Sequence, residues 1–533
     1  MVRKFFSHNA ENGNKVCVFL NNAIFVLWSV LSAGIVACCC FFSFVDHARK
    51  KTFLLSNGVL ILIGIALTVI CALCYVKYRK KIDSFFASLN SKWIYFLSLA
   101  LFLLSAYIIR NIYFTTGWDS AIITNTAKWL ASGKYDKINS NYFSIYPNNL
   151  FITWVYSKLA EFNMAFGDAK NYEYFVVAVQ SALMSITGLL LFKIVNQISK
   201  PFTAYFTWFV FAVLIGVSPW MGIIYTDALG LIMPTAILYL YLKTKNGRCL
   251  IFKWFCLGVL IYFGYNLKPQ IIIVGIAIII VEILGLCKNI TKQNITKGLK
   301  KCLAFVLAVC MSAAVYMNLL LPSIKIEIDD QAAFGVVHFI KMGLNSRTDG
   351  AYLRSDVDFS SSFETKEERN SQNFKVIKQR ISDYGFVGLA KHTIKKTLVN
   401  FGDGTFAWSE GVTFYKDKHA DINEFASPAL KSIYHKGGKY YDFYITLLQL
   451  VWMSVLFLSV GITAFCFMSK RTNPMISVFT LSIIGLTLFS TIFESCARYF
   501  FIYSPFFIVV AVFGLSGFVK LFSNVFKRIK RRN

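Results

Sequence analysis

The residue best suited to chemistry is Asp119, in the sequence Gly117-Trp118-Asp119, which follows a long apolar run and opens an amphipathic stretch. A carboxylate that is held beside a hydroxyl group can act as a general base. An aspartate at the start of a helix can equally be an N-cap, which accepts hydrogen bonds from backbone N–H groups. The residue types alone leave both roles open, and capping is the commoner one.

Two cations lie at breaks between later apolar runs: Lys268, before a proline, and Arg498, four residues after Glu494. With the neighbouring Tyr499, they are candidates to bind an anionic group such as a phosphate, because cations stabilise negative charge on a leaving group. Lys268 could instead extend to lipid headgroups. Glu494 and Arg498 could form a structural ion pair at i, i+4, and Tyr499 could be an interfacial aromatic.

Five further residues are candidates to contact a substrate: Glu494 and the four described next. Tyr146 precedes a proline in the same polar loop as Asp119, although an interfacial aromatic before a helix-starting proline gives the same pattern. Asp227 could cap a helix, or join Asp119 around a divalent cation such as Mg²⁺ or Mn²⁺. Asp403 and Trp408 belong to a segment rich in Asp, Gly and aromatic residues, a mixture found both in carbohydrate-contacting loops and in simple turns.

The composition places these residues in a membrane protein. Of the 533 residues, 56% are apolar and 15% are charged, and the mean hydropathy is +0.56. A soluble domain averages about a quarter charged residues, so the composition excludes a soluble enzyme, a secreted module and a disordered scaffold. The net charge of +28 does not indicate a nucleic-acid partner, because much of it lies in short loops between apolar runs.

Runs of roughly 17 to 25 apolar residues, the length that crosses a bilayer as a helix, predict an all-α polytopic protein with about twelve transmembrane helices. The predicted spans are 16–45, 53–76, 93–112, 173–195, 202–217, 228–243, 250–266, 271–287, 302–321, 444–468, 474–493 and 499–522. The short spans 202–217 and 228–243 flank a polar break.

The distribution of Lys and Arg predicts the orientation. With a cytoplasmic N-terminus, most loop lysines and arginines fall on the inner side, for example in 288–301 and in the tail 527–532. This is the asymmetry that the positive-inside rule requires. The basic stretch 46–51 would lie outside and disagrees, but the remaining loops outweigh it. Both termini are therefore predicted to be cytoplasmic.

This orientation places the polar segments together on the outer side of the membrane. They are the loop 113–172, the break 218–227, the turn 266–270, the segment 322–443 and the turn 493–498. The sequence contains no GxGxxG, Walker loop or HExxH motif. The candidate functional residues lie outside the membrane and no nucleotide-binding motif is present. This arrangement does not suit an enzyme that uses cytosolic ATP or sugar nucleotides.

The polar segments divide the chain into four predicted parts. Residues 1–92 form an N-terminal two-helix membrane hairpin, and 93–321 form the transmembrane core with the first outer loop 113–172. Residues 322–443 form a small α-rich extracytoplasmic domain that covers the outer cavity and helps to select the acceptor. Residues 444–533 contain the C-terminal helices and a basic cytoplasmic tail.

Several short patches resemble, in their order and sidedness, the GT-C superfamily of membrane glycosyltransferases. They are similar to the protein-mannosyltransferase-like and aminoarabinose-transferase-like branch, and to a Firmicute branch of that superfamily. The patches are Gly117–Asp119, Ile145–Asn149, Ser218–Trp220, Tyr225–Asp227, Leu267–Pro269, Met342–Asn345, Phe401–Trp408 and Glu494–Tyr499. Two departures are a Tyr-Pro-Asn sequence where Tyr-Pro-Pro is common, and the lack of an Asp-X-Asp pair.

The resemblance implies an enzyme of the bacterial plasma membrane that takes a sugar from a polyprenyl-phosphate carrier in the bilayer. The sugar would pass to a cell-envelope acceptor at the outer face, with inversion of the anomeric configuration. Teichoic acids, glycolipids and surface proteins are the expected acceptors. The resemblance implies that Asp119 is the general base. Lys268 and Arg498 are then the cations on the same face that could bind the donor phosphate.

Two other classes of membrane protein fit part of the pattern. A transporter or flippase of a lipid-linked saccharide predicts midplane charges, broken helices and an internal repeat, and the sequence shows no convincing repeat and few charges within the spans. A glycan polymerase or ligase also has a large outer loop, but it would depend on outer arginines and a histidine. The first-loop aspartate favours the glycosyltransferase.

Overall fold

The computed structural model describes residues 15–42, 53–113, 116–167, 171–244, 249–288, 290–411, 427–469 and 473–529. The basic stretch 46–51 and the last residues of the basic tail, 530–532, lie outside these ranges. So do the last residues of the predicted span 16–45.

Within those ranges the protein is helical, without a strand, and ten of its helices are long and apolar enough to cross a bilayer. They are Val16–Phe41, Asn57–Ser88, Trp93–Ile112, Tyr172–Ile198, Leu250–Leu267, Pro269–Lys288, Lys292–Ile324, Tyr441–Met468, Pro474–Ile492 and Ala497–Asn524. The predicted all-α polytopic fold is confirmed. The short spans predicted at 202–217 and 228–243 correspond to the shorter helices Pro201–Gly216 and Ile232–Thr244.

The polar break between these two shorter helices is structured by its own side chains. Pro219–Gly222 forms a 3-10 turn, for which the Ser218 hydroxyl accepts a hydrogen bond from the Trp220 backbone N–H. A short helix, Thr226–Gly230, follows. Proline suits the first position of such a turn because its φ is already helical and it lacks the N–H group that would be unpaired there.

The first membrane helix packs among the C-terminal helices. Its Phe25 and Trp28 are fully buried, and the Ser32 hydroxyl lies 2.9 Å from the Leu456 carbonyl and 2.7 Å from the Ser459 hydroxyl. Such polar contacts hold helices together where lipid offers no hydrogen-bond partner. The division of the chain at residue 92 stays a prediction, since this helix shares a packed core with residues near the other end of the chain.

Small residues bring two of the C-terminal helices into close contact. A Cβ atom at Gly514 would lie 2.0 Å from the Leu458 carbonyl oxygen, and one at Gly461 would lie 2.4 Å from the Gly514 oxygen. Backbones approach this closely in membranes only where side chains are small. This packing fixes helix Ala497–Asn524, whose first turn carries Arg498 and Tyr499.

The first polar loop and the segment 322–443 consist mostly of short helices. In the first loop these are Asp119–Ala131, Tyr135–Lys137, Ser140–Ile145, Pro147–Asn149 and Leu150–Phe166. In the segment 322–443 they are Asp330–Ala332, Val336–Gly343, Arg354–Ser361, Lys366–Phe401, Trp408–Gly411 and Pro428–Tyr434. The long helix Lys366–Phe401 changes direction at Gly385, whose φ of 54° and ψ of −173° are not helical.

The segment 322–443 is locked onto the turn 493–498 by the loop that follows helix Val336–Gly343. The buried Lys396 amine donates to the Gly343 carbonyl at 2.8 Å and to the Phe493 carbonyl at 2.7 Å. The Ser495 backbone N–H donates to the Gly350 carbonyl at 2.7 Å. A Cβ at Gly343 would lie 2.5 Å from the Phe493 oxygen, so only glycine permits this approach. The segment is therefore part of the wall around Glu494.

Candidate active site

Asp119 is the first helical residue of Asp119–Ala131 and is half-buried. The N-cap position belongs to Trp118, whose side chain makes no capping bond, so Asp119 does not have the N-cap role considered from the sequence. Its Oδ2 accepts a hydrogen bond from the Tyr225 hydroxyl at 3.2 Å. The structure thus joins the first polar loop to the polar break 218–227 through this carboxylate.

The break that carries Tyr225 is held in place by buried polar side chains. The Tyr156 hydroxyl lies 3.1 Å from the Tyr225 carbonyl oxygen and 2.6 Å from Gln180 Oε1. The Gln180 amide donates to the Met221 carbonyl at 2.7 Å. Both Tyr156 and Gln180 are fully buried. Because these bonds satisfy the backbone of an irregular segment, the Tyr225 ring has a fixed position beside Asp119.

A second tyrosine and an asparagine complete this part of the site. The Asn149 amide donates to the Tyr142 hydroxyl at 2.6 Å, and the Tyr225 hydroxyl lies 3.4 Å from Asn149 Oδ1. Burial, with the charge of Asp119 adding to it, raises the pKa of Tyr142 and of Tyr225. Both phenols therefore stay protonated and can donate hydrogen bonds to anionic groups.

Arg498 lies against the other side of Tyr225, surrounded by three aromatic rings. Its guanidinium carbon is 5.1 Å from the Trp118 ring centroid, 5.4 Å from that of Tyr225 and 5.5 Å from that of Tyr499. The Trp118 and Tyr225 rings pack edge to face at 5.0 Å. Aromatic faces attract a cation without neutralising its charge. The rings therefore fix the position of the guanidinium, and the charges of Asp227 and Glu494 are near enough to interact with it.

Lys268 is not extended toward headgroups but buried in an ion pair. Its amine donates to Asp227 Oδ1, and the two side chains are 6% and 0% exposed. The amine also lies 5.5 Å from the Tyr499 ring centroid. Pro269 begins the 3-10 turn that follows Lys268, so the tight turn predicted at this position aims the lysine at Asp227. Burial lowers the pKa of Lys268, and the Asp227 charge opposes this shift.

Glu494 is half-buried, on the side of the site nearest Lys396. Residues 494–496 are not helical, and Arg498 belongs to the 3-10 helix Ala497–Tyr503. The i, i+4 helical spacing assumed from the sequence is therefore wrong, because the chain is extended between the two residues. Burial raises the pKa of the Glu494 carboxyl, and the Arg498 charge opposes this shift.

Tyr146 lies where the first polar loop meets the segment 322–443. Its ring centroid is 5.4 Å from that of Tyr142 and 5.5 Å from that of Phe334. The side chain is half-buried, and the charges of Asp119 and Glu494 are close enough to influence it. The structure therefore brings Tyr146 to the edge of the same cluster.

Asp403 and Trp408 form a structured turn. The Asp403 carboxylate accepts hydrogen bonds from the backbone N–H groups of Thr405 and Ala407, both at 2.8 Å. These bonds hold Phe406 and Ala407 at positive φ angles of 54° and 66°, which cost energy for residues with a side chain. Trp408 is 1% exposed and packs against tyrosines. These contacts are those of a turn, and a substrate contact at either residue stays a prediction.

The residues as placed do not fit the divalent-cation site considered for Asp119 and Asp227. The Asp227 carboxylate is paired with the Lys268 amine. A cation such as Mg²⁺ takes several oxygen ligands, and the described residues contain no group of three or more His, Cys, Asp or Glu side chains that could hold a metal.

Trp118, Tyr225 and Asn149 are site residues to which the sequence assigned no role. All three belong to the short patches quoted for the superfamily resemblance. Their positions within those patches are the one signal that could have identified them, because nothing in the sequence places Tyr225 beside Asp119.

Among solved structures, the chain is similar to the archaeal oligosaccharyltransferase AglB from Archaeoglobus fulgidus, in complex with an inhibitory peptide and a dolichol-phosphate. The similarity has a TM-score of 0.40 at 13% sequence identity, and covers 83% of this chain and 52% of AglB. The chain thus spans about half the length of that protein. No curated protein sequence matches the chain. Residues 15–517 match the family described as conserved hypothetical integral membrane proteins, and the chain belongs to that family.

Proposed function

We propose that the protein is a membrane glycosyltransferase that moves a sugar from a polyprenyl-phosphate carrier to a cell-envelope acceptor at the outer face. The observation that carries the proposal is the arrangement around Tyr225. Its hydroxyl holds the Asp119 carboxylate, and its ring packs against the Arg498 guanidinium. A base for the acceptor and a cation for the leaving phosphate are the two groups that this reaction needs.

In the proposed reaction, Asp119 takes the proton of the acceptor hydroxyl as the oxygen attacks the anomeric carbon of the donor. The bond from that carbon to the phosphate oxygen breaks, and the polyprenyl phosphate leaves with the electron pair. The hydrogen bond from Tyr225 to Oδ2 orients the carboxylate. A base that is held in position needs no reorganisation when the proton moves.

Arg498 is the proposed partner of the leaving phosphate. Its guanidinium is bounded by three aromatic rings. The Lys268 charge is balanced by Asp227, so Lys268 would serve mainly to hold this region together and to add a weaker attraction for the phosphate. A single displacement that inverts the anomeric carbon requires the base and the leaving group on opposite faces of the sugar. Asp119 contacts the hydroxyl of Tyr225, and Arg498 contacts the face of the Tyr225 ring. The two groups therefore lie on different sides of Tyr225, which is compatible with that requirement.

The test is a set of chromosomal variants whose lipid-linked sugars and envelope glycans are measured by mass spectrometry. Asp119→Asn should abolish the glycan product and let the donor lipid accumulate, while the protein still inserts into the membrane. Asp136→Asn, at an exposed aspartate of the same loop, is the matched control and should leave the product unchanged. Full product from Asp119→Asn would contradict the proposal.

Two further measurements separate the proposal from its alternatives. Reconstituted protein given donor lipid and acceptor on the same side of the vesicle should form product; a flippase would only move the lipid. Reporter fusions at residues 130 and 380 should both report the outer side. A cytoplasmic signal at either position would contradict the proposed orientation.

A further inference from the structure

A cavity lies in the segment 322–443, apart from the cluster around Asp119. It is an open cleft of about 480 Å³, within the range of roughly 300–1,000 Å³ that is typical of small-molecule sites. Its polar lining consists mainly of Asn345, Ser346, Arg347, Arg380, Asp383 and Tyr384. Leu344 and Leu353 add apolar surface to the lining.

Hydrogen bonds from behind hold the polar wall of this cleft. The Arg380 guanidinium makes two bonds to the Asp356 carboxylate, at 2.7 and 2.9 Å. The Tyr384 hydroxyl donates to the Leu344 carbonyl at 3.1 Å, and its ring stacks on His392 with centroids 4.8 Å apart. Side chains that are fixed before binding lose little entropy when a ligand arrives. The cleft is therefore preorganised.

The loop that forms the opposite wall is equally constrained. The Asn345 amide donates to the Met342 carbonyl at 2.6 Å and to the Ala351 carbonyl at 2.9 Å. Its Oδ1 accepts from the backbone N–H and the hydroxyl of Thr348, both at 2.8 Å. The loop thus keeps its shape through the side chain of one buried asparagine.

The cleft lining carries charges of both signs. Arg347 and Asp383 are exposed and opposite in sign. Arg380 is paired with Asp356, whose carboxylate also lies 3.9 Å from the buried Lys341 amine. A strongly anionic or cationic ligand would gain little from such a lining. Neutral ligands with many hydroxyl groups suit it better, because arginine, asparagine and carboxylate groups together offer fixed donors and acceptors.

The cleft is connected to the candidate active site through the loop that forms its wall. Gly343, directly before Leu344, contacts Phe493 through the Lys396 bridge, and Phe493 precedes Glu494. The wall of the cleft is therefore joined to the turn that carries Glu494 by a direct hydrogen-bonded contact.

We propose that this cleft binds a neutral saccharide segment of the acceptor, apart from the hydroxyl that reacts. This assignment rests on the proposed glycosyltransferase function, and it adds the class of acceptor: a glycan or glycoconjugate that is held at two points. The reacting hydroxyl lies at Asp119, and the cleft holds a part of the same molecule that does not react.

The experiment places a photoreactive benzophenone amino acid at Ser346, inside the cleft, in the full-length protein in its own membrane. Irradiation should give adducts that stain for carbohydrate and yield neutral sugars on hydrolysis. The same amino acid at Ser371, an exposed serine of helix Lys366–Phe401 that does not line the cleft, is the matched control and should give none. Adding Arg347→Ala should lower the adduct yield about tenfold, as expected for a lost hydrogen bond to a charged group. Lys375→Ala should leave it unchanged.

Three results would overturn the proposal: no carbohydrate adduct from Ser346, equal adducts from both positions, or adducts that consist only of peptide or of a phosphate polymer and disappear at high salt. The crosslink is repeated in the Asp119→Asn variant, where it should persist because the cleft does not touch the base. Persistent adducts with full transfer activity in that variant would refute the role of Asp119 and leave the cleft assignment intact. Lost transfer without adducts would refute only the cleft.

Discussion

Two pairs of opposite charges lie within one cluster, and the structure treats them differently. Asp227 and Lys268 contact each other directly and are almost completely buried. Asp119 and Arg498 are half-buried, and Tyr225 lies between them. Both pairs connect segments that are far apart in the chain, yet only the second leaves its charges accessible.

This difference separates charges that hold the site from charges that can act on a ligand. A buried ion pair has already exchanged hydration for its partner, and breaking it leaves an uncompensated charge. A half-buried carboxylate that a phenol orients can still accept a proton, and a cation bounded by rings can still meet an anion. The Asp227–Lys268 pair therefore has the contacts of a framework element, and the proposed function assigns the chemistry to Asp119 and Arg498.

The largest expected effect is on transfer activity, and it distinguishes Asp119 from Asp227. Asp119→Asn removes the proposed base and should lower kcat by about 10²–10⁴-fold, with the thermal unfolding of the purified protein unchanged. The readout is transfer from a polyprenyl-phosphate sugar in detergent or vesicles, beside a melting curve. A stability loss that accounts for the lost activity would place Asp119 in the framework and remove the contrast.

The opposite behaviour is expected of the buried pair. Asp227→Asn should destabilise the protein by about 3–5 kcal/mol, because it leaves the Lys268 amine buried without its carboxylate. The double variant Asp227→Leu with Lys268→Met should be less destabilised than the sum of its single variants, since it removes both charges. Denaturant unfolding in detergent measures all of them. Additive losses would show that the pair does not act as a unit.

A smaller effect is expected at the residue that links the two sides of the site. Tyr225→Phe keeps the ring against Arg498 but removes the hydrogen bond to Asp119, so kcat should fall roughly tenfold while the KM for the donor stays the same. Tyr135→Phe, at an exposed tyrosine of the first polar loop, is the control. A change in donor KM without a change in kcat would assign Tyr225 to phosphate binding instead.

The membrane architecture could be predicted from the sequence because it depends on local composition. A run of apolar residues long enough to cross the bilayer has few alternatives to a helix, since no water is present to satisfy the backbone. The predicted spans and the helices Trp93–Ile112 and Pro474–Ile492 agree within a residue or two. The packing of the first helix against residues 456–463 could not be predicted in this way, because it depends on contacts between opposite ends of the chain.

Within the site, the residue types in the sequence indicated which side chains belong to the cluster, but the sequence did not indicate which side chains contact each other. Asp119, Lys268, Arg498 and Glu494 stand out in the sequence as ionisable residues that lie next to apolar runs. The structure places all four in one cluster. The partner of Lys268 is 41 residues away and that of Asp119 is 106 residues away, distances that no periodicity reports. The one pairing inferred from spacing assumed an α-helix through residues 494–498, but residues 494–496 are not helical.

The smallest effect concerns pH and Glu494, the carboxyl group nearest the boundary between framework and chemistry. Burial raises its pKa, so its neutral form persists to higher pH than that of an ordinary glutamate. A neutral Glu494 does not repel a donor phosphate beside Arg498, whereas an ionised one does. The KM for the donor should therefore rise as the pH increases through the raised pKa of Glu494. Glu494→Gln should keep the KM at its low value over that pH range.

Steady-state kinetics across the pH range, with Glu161→Gln at an exposed glutamate as control, measure the difference. An unchanged profile in Glu494→Gln would show that this carboxyl group does not face the phosphate and would place it with Asp227 and Lys268 in the framework.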